Sequence, residues 1–338
     1  MNGGSHRLAP VLGLTLLALA VLVVVETRLS RQHIDRVTVE ILASHSQGFD
    51  ADSPGEAPRG DSAGPLHDEA RLLARRGLLD EALDAYGRVV RAQPHQAALR
   101  AEQGYWLLVA RQDAEALEAL ERAARLQPRS AWVALLLGRA HLRLGDSAEA
   151  ERALQRAVEL DPRDGEALLA LGGVMLDRGR SSDAARLFAD MSASRASEQG
   201  ALALVGLGHA KLVLEDRAGG HRALQLAVER APDSVAVRLA AARAWLHSGQ
   251  PEDLLAAQQL LDETALMAPA VPQLHALRGL TLELRGELDL AGLAYREALR
   301  LDPREADTRC RLEALEPIPE LLWTRATLEQ CSQFGQES

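Results

Sequence analysis

Hydrophobic and polar positions divide the chain into unlike stretches. Leu8 to Val25 reads LAPVLGLTLLALAVLVVV, without one charge. At about 1.5 Å rise per residue a helix of that length spans roughly 27 Å, enough to cross a hydrocarbon core. Pro10 falls in its first turn, where a missing N–H is tolerated. A cleaved signal peptide would have a shorter apolar core and small residues at the cut, but Val25 is followed by Glu26, Thr27 and Arg28. The pattern therefore predicts an uncleaved transmembrane anchor over 8–25, behind a short tail of residues 1–7. Ile34, Val37, Ile41 and Leu42 then fall at helical spacing, which predicts a juxtamembrane helix over 26–43. Residues 44–62 are rich in Gly, Pro, Ser and Asp without periodicity, as in a flexible tether with a reach of roughly 25 Å.

From about residue 63 the chain repeats itself. Pro94, Pro128 and Pro162 stand 34 residues apart, as do Pro269 and Pro303, with Pro232 between them. Twelve residues before five of these prolines stand Ala82, Ala116, Ala150, Ala257 and Ala291. Four residues after those alanines come Tyr86, Leu120, Leu154, Leu261 and Tyr295. Small residues also stand at Ala70, Gly104, Gly138, Gly208 and Gly279, and glycines at Gly77, Gly145, Gly179, Gly249 and Gly286 mark turns. Two helices approach closely only where small side chains face each other, and a bulky residue one turn on fills the space beside them. A proline after each second helix stops it. A fixed period in this range predicts a solenoid of helix pairs.

These residues resemble the tetratricopeptide repeat. ALERAARLQPRS, ALQRAVELDPRD and AYREALRLDPRE are close to its second helix and exit turn. The resemblance implies an all-α, right-handed α-solenoid of about seven helix-turn-helix units across 63–305, with units at 63–96, 97–130, 131–164, 165–200, 201–234, 235–271 and 272–305. Three units depart from the pattern. The fourth has Met191 and SASRASEQ in place of its proline turn, the fifth has Gly220 for the usual Ala, and the sixth carries PED between its helices. Residues 306–338 would supply a capping helix, which a solenoid end requires, and a tail.

Composition narrows the function. The chain has 338 residues, 47% apolar, 25% charged and 3% aromatic. That excludes collagen-like, mostly disordered and disulfide-framework proteins. A net charge of −10 argues against a general nucleic-acid binder. Cys310 and Cys331 are too few for a four-thiolate zinc site. They allow one disulfide in an oxidising compartment, or two thiols in a reducing one.

No phosphate-binding glycine loop, nucleophile elbow or metalloprotease motif is present, and GLGH at Gly206–His209 is a weak glycine echo. Carboxylates alternate with arginines at helical spacing, as on solvated faces. His209 and His247 fall where neighbouring repeats would bring them together, without a third ligand. The expectation is a protein that is no enzyme and holds no metal or cofactor.

The resemblance implies a concave groove lined by the first helix of each unit. Its candidate partner-binding residues are Tyr105, Trp132, Arg139, Arg143, His209, Arg243 and His247, on a largely apolar wall. Such a wall suits an extended peptide or amphipathic helix bearing acidic groups, which arginine grips with a forked pair of hydrogen bonds. The Lys and Asn positions of chaperone-binding tetratricopeptide clamps are not matched.

The expectation is therefore a membrane-anchored scaffold that holds client proteins or subunits during assembly of a membrane or envelope complex. Cytochrome c maturation, secretion and surface-polymer export are the candidate settings. The alternative is a cytoplasm-facing adaptor that recruits an enzyme or signalling protein to the inner membrane. Arg28, Arg31 and Arg36 beyond the span favour a cytoplasmic repeat domain by the positive-inside rule, whereas a Cys310–Cys331 bridge favours the periplasm. The expected location is the bacterial inner membrane, single-pass, with the repeats in the periplasm. Repeat surfaces also allow a homo-oligomer.

Overall fold

A computed structural model describes residues 64–194, 198–303 and 305–315. The expected tail, anchor, juxtamembrane helix and tether lie outside the described residues. Among the described residues no helix is long and apolar enough to cross a membrane.

Those residues form fifteen α-helices and no strand. In chain order they are α1 (Pro65–Arg75), α2 (Leu79–Ala92), α3 (Ala97–Val109), α4 (Asp113–Leu126), α5 (Ala131–Arg143), α6 (Ser147–Leu160), α7 (Gly165–Asp177) and α8 (Ser181–Ser194). Then follow α9 (Glu198–Val213), α10 (Arg217–Arg230), α11 (Val235–Ser248), α12 (Pro251–Met267), α13 (Pro272–Leu284), α14 (Leu288–Leu301) and α15 (Ala306–Leu315). Each odd-numbered helix through α13 packs against the even-numbered helix that follows it, and successive first helices also touch, from α3 and α5 to α11 and α13. The result is an all-α solenoid.

Second helices are amphipathic in a simple way. Along α4 the buried residues are Ala116, Ala119, Leu120 and Ala123, one stripe at helical spacing. Asp113 and Glu115 open the helix and Arg125 closes it, each at the favoured end of its dipole. First helices bury more of their circumference. In α5, Val133, Ala134, Leu135, Leu136, Gly138, Ala140 and Leu142 are all buried, because the helix is wedged between its own partner and its neighbours. Ser130 caps α5 by accepting from Val133 N at 3.3 Å, and Asp164 caps α7 by accepting from Glu166 N at 2.9 Å.

Close approach explains the small residues. A Cβ added to Gly104 would lie 2.6 Å from Leu120 Cγ, and one on Gly208 would lie 2.6 Å from Leu224 Cγ. Phe188 fills this role in the fourth pair and reaches further: it presses on both Gly172 and Gly206. The glycines of GLGH are thus accounted for by packing, Gly206 against Phe188 and Gly208 against Leu224. The turn inside each pair requires a left-handed residue. Gly145 has φ +82°, but in the second and fifth pairs Arg111 (φ 63°) and Glu215 (φ 65°) stand there instead.

Candidate functional site

Arg71, Tyr105, Arg139, His209 and Arg243 each follow the close-approach residue of a first helix by one position, so the repeat sets them at equivalent places on α1, α3, α5, α9 and α11. Neighbours among them interact. Tyr105 on α3 feels the charge of Arg139 on α5; burial raises its phenol, and the guanidinium pulls the other way. Tyr105 also meets Trp106 edge-on, with ring centroids 5.1 Å apart. Trp132, half-buried at the start of α5, packs with Tyr105 on the cluster that includes Leu107, Leu120, Leu136 and Ala140.

Arg139 is largely buried, its side chain 15% exposed, and pairs with Glu166 in the first turn of α7. Burial pulls its guanidinium down to about 10, and the charge of Tyr105 and Asp164 opposes the fall. It remains a cation at neutral pH. Arg143, one turn on, is a tie between pairs. Its Nε lies 2.8 Å from Asp113 Oδ1 at the start of α4, and its Nη1 donates to Leu108 O at 2.8 Å at the end of α3.

Farther along, His209 on α9 and His247 on α11 come together edge to face, with centroids 4.6 Å apart. His209 is 1% exposed and His247 half-buried. Among the described residues no group of three His, Cys, Asp or Glu side chains could hold a metal ion. Arg243, also buried, attracts Glu305 ahead of α15, whose carboxyl is raised mainly by its own burial. Two sets of candidates are therefore brought together, Tyr105 with Trp132 and Arg139 at one end and His209 with His247 at the other. Cys310 is half-buried on α15; Cys331 lies outside the described residues.

Two polar centres escaped the sequence reading. Glu102 on α3 is 5% exposed and accepts from His67 Nε2 (2.8 Å), Arg71 Nη2 (2.8 Å) and Nε (3.1 Å), and Tyr86 OH (3.1 Å). Burial alone would raise its carboxyl, but the bonds and charge of His67 and Arg71 hold it below the ordinary carboxylate value. Trp106 Nε1 extends the network by donating to Tyr86 OH at 3.1 Å. The signal in the sequence was a lone acid amid AALRAEQGYWLLV.

The PED residues, expected between the two helices, instead open α12, and the second centre is Asp253 in that first helical turn, fully buried beside His221 Nε2 at 2.5 Å and Arg217 Nη2 at 3.4 Å. Ser248 Oγ donates to its other oxygen, the one near Arg217. This is not the arrangement that activates a nucleophile, because the serine bonds to the carboxylate rather than to the imidazole. It joins α10, α11 and α12 instead.

A family model described as the tetratricopeptide repeat matches residues 67–131, 135–201 and 252–306, together more than half of the chain. The protein belongs to the tetratricopeptide repeat family. Among solved structures, a tetratricopeptide repeat protein from Parabacteroides merdae ATCC 43184 is similar at 16% identity and a TM-score of 0.60, over 76% of this chain and 99% of that one. The crystal structure of the APC/C hetero-tetramer Cut9–Hcn1 matches at 17% identity and a TM-score of 0.51, over 83% of this chain and 53% of that one. At such identities the likeness speaks for the fold alone. No curated protein matches the sequence. As in the family generally, the repeats make a protein–protein interaction scaffold.

Proposed function

We propose that this tetratricopeptide protein is a membrane-anchored, non-catalytic scaffold whose inner wall holds an extended or helical segment of a client protein while a membrane or envelope complex assembles. The observation that carries the reading is the placement of Tyr105 and Trp132 on one apolar cluster, on the neighbouring first helices α3 and α5, with the charge of the buried Arg139 acting on Tyr105. Aromatic rings and arginines in partly dry surroundings are the residues that dominate protein interfaces. A client carboxylate would take the place of Glu166 on Arg139, exchanging one charged partner for another.

The apolar segment 8–25 would anchor the chain in a bacterial inner membrane. The tether would then raise the local concentration of groove and client, so that a weak contact suffices. Cytochrome c maturation, secretion and surface-polymer export are assembly processes of this kind. Periplasmic repeats fit a Cys310–Cys331 bridge. A cytoplasm-facing adaptor is the second reading, favoured by Arg28, Arg31 and Arg36 beyond the span.

Affinity purification of full-length protein from detergent-solubilised membranes tests the proposal. The expected result is a stoichiometric protein partner that is lost from a Tyr105→Ala/Arg139→Ala variant. Recovery of no stoichiometric partner would overturn it. Protease digestion of intact spheroplasts then separates the two readings. Cleavage of the repeats from outside supports the periplasmic scaffold, and protection supports the cytoplasmic adaptor.

A further inference from the structure

Helix α12 differs from the other second helices. At Pro251–Met267 it is the longest helix among the described residues, and it carries no arginine or lysine, whereas α2, α4, α6, α8, α10 and α14 each carry at least one arginine. Its buried residues Leu254, Ala257, Leu260, Leu261 and Thr264 form one stripe. At about 100° per residue, the stripe on the opposite side is Glu252, Leu255, Gln259, Asp262 with Glu263, and Leu266. Leu255 is 47% exposed and Leu266 88% exposed.

Leucine is out of place on that side, where it adds nothing to the core. Three residues before their closing prolines, where α12 has Leu266, the other second helices have Arg91, Arg125, Glu159, Glu229 and Arg300. The apolar character runs on past the helix. Residues 264–273 carry no charge, Met267 is 45% exposed, and exposed Ala270 stands where other exit turns have His95, Arg129, Arg163, Asp233 and Arg304. A contiguous apolar surface rimmed by polar groups marks an interaction site.

Spacing and charge name the occupant. Positions 252, 255, 259, 262 and 266 alternate by three and four, the seam against which one further helix packs. The seam is acidic. Arg217, Arg278 and Arg238 reach Glu252, Asp262 and Glu263 from α10, α13 and α11, at 3.5, 2.8 and 3.3 Å. The side chains of Glu252 and Glu263 nevertheless stay 86% and 66% exposed, with oxygens open to further donors. A second copy of α12 would set acid against acid, and an anionic lipid surface would be repelled.

We infer that the outer face of α12, with its exit turn, is a second docking surface, and that it takes a cationic amphipathic helix of a partner protein. Apolar residues of that helix seat between Leu255 and Leu266, and its arginines or lysines reach Glu252 and Glu263. From Glu252 to Leu266 the seam is about 21 Å long, so the partner supplies about four helical turns.

The test is photo-crosslinking of the full-length protein in detergent, with a photoreactive residue at Gln259. The probe is a synthetic helix of about 18 residues with leucine at heptad positions and arginine beside them. A scrambled peptide of the same composition controls for the net charge of −10. Capture should saturate with the amphipathic peptide, at a concentration at least about tenfold lower than for the scrambled one. Leu255→Ser/Leu266→Ser, which alters only exposed side chains, should raise that concentration about tenfold or more. Glu252→Gln/Glu263→Gln should also raise it, and should flatten its dependence on salt. The photoreactive residue at Arg152, the same place on α6, should capture none. Equal capture at Arg152, equal saturation by the scrambled peptide, or no change in the serine variant would overturn the inference. So would crosslinking of two protein copies through Gln259 without peptide, since a second copy would then cover the face.

Discussion

Arg71 on the first helix and Glu102 on the third are joined by two hydrogen bonds, at 2.8 and 3.1 Å, although 31 residues separate them. With His67 and Tyr86 they make a buried polar joint between the first two repeats. Because the folded carboxyl of Glu102 lies below its unfolded value of 4.5, its contribution is present above that pH and is lost as pH falls through the folded value. Glu102→Gln should cost about 3 kcal/mol at pH 7, as for a broken buried ion pair. The difference from the natural protein should shrink below pH 4.5, and thermal unfolding at the two pH values checks it.

A methyl group on Gly138 would lie 2.5 Å from Leu154 Cγ, inside the contact that closes the third pair. Gly138→Ala should destabilise by about 1–3 kcal/mol through overpacking. A double variant, Gly138→Ala with Leu154→Ala, should show non-additive costs in urea unfolding, since the smaller residue removes the clash.

Arg111 and Glu215 hold left-handed turns that glycine holds in the other five pairs. Arg111→Gly and Glu215→Gly should each stabilise, by up to about 1 kcal/mol, because the steric strain relieved exceeds the added freedom of the unfolded chain. Gly145→Ala, at φ +82°, should destabilise by a similar amount. Melting temperatures of the three variants give the signs.

Arg139 and Arg143 lie one turn apart but are expected to fail differently. Arg143 links Leu108 O and Asp113 across two pairs, so Arg143→Ala should lower stability by about 1–3 kcal/mol. Arg139→Lys keeps a charge beside Glu166 but removes the forked donor, and should weaken client binding about tenfold while changing the melting temperature little. Client affinity and thermal unfolding of both variants separate the two roles.

The repeats were legible because their signals are local. Proline stops, turn glycines and the small residues at Gly104 and Gly138 report constraints that act within one helix pair. The joints were not legible, because they depend on how one pair is offset against the next. Nothing near Glu102 in sequence names His67 as its partner, and the PED motif gave no hint that Asp253 would be buried against His221 from α10. Arg143 was readable as an inner-wall residue but not as a tie, since its acceptors belong to the preceding repeat.

Site-specific photo-crosslinking in native membranes bears most directly on the inner wall as a client site. A photoreactive residue at Tyr105 should trap one discrete partner protein, and the same residue at exposed Arg122 on α4 should not trap it. Equal capture at both positions, or none at Tyr105, would contradict the account.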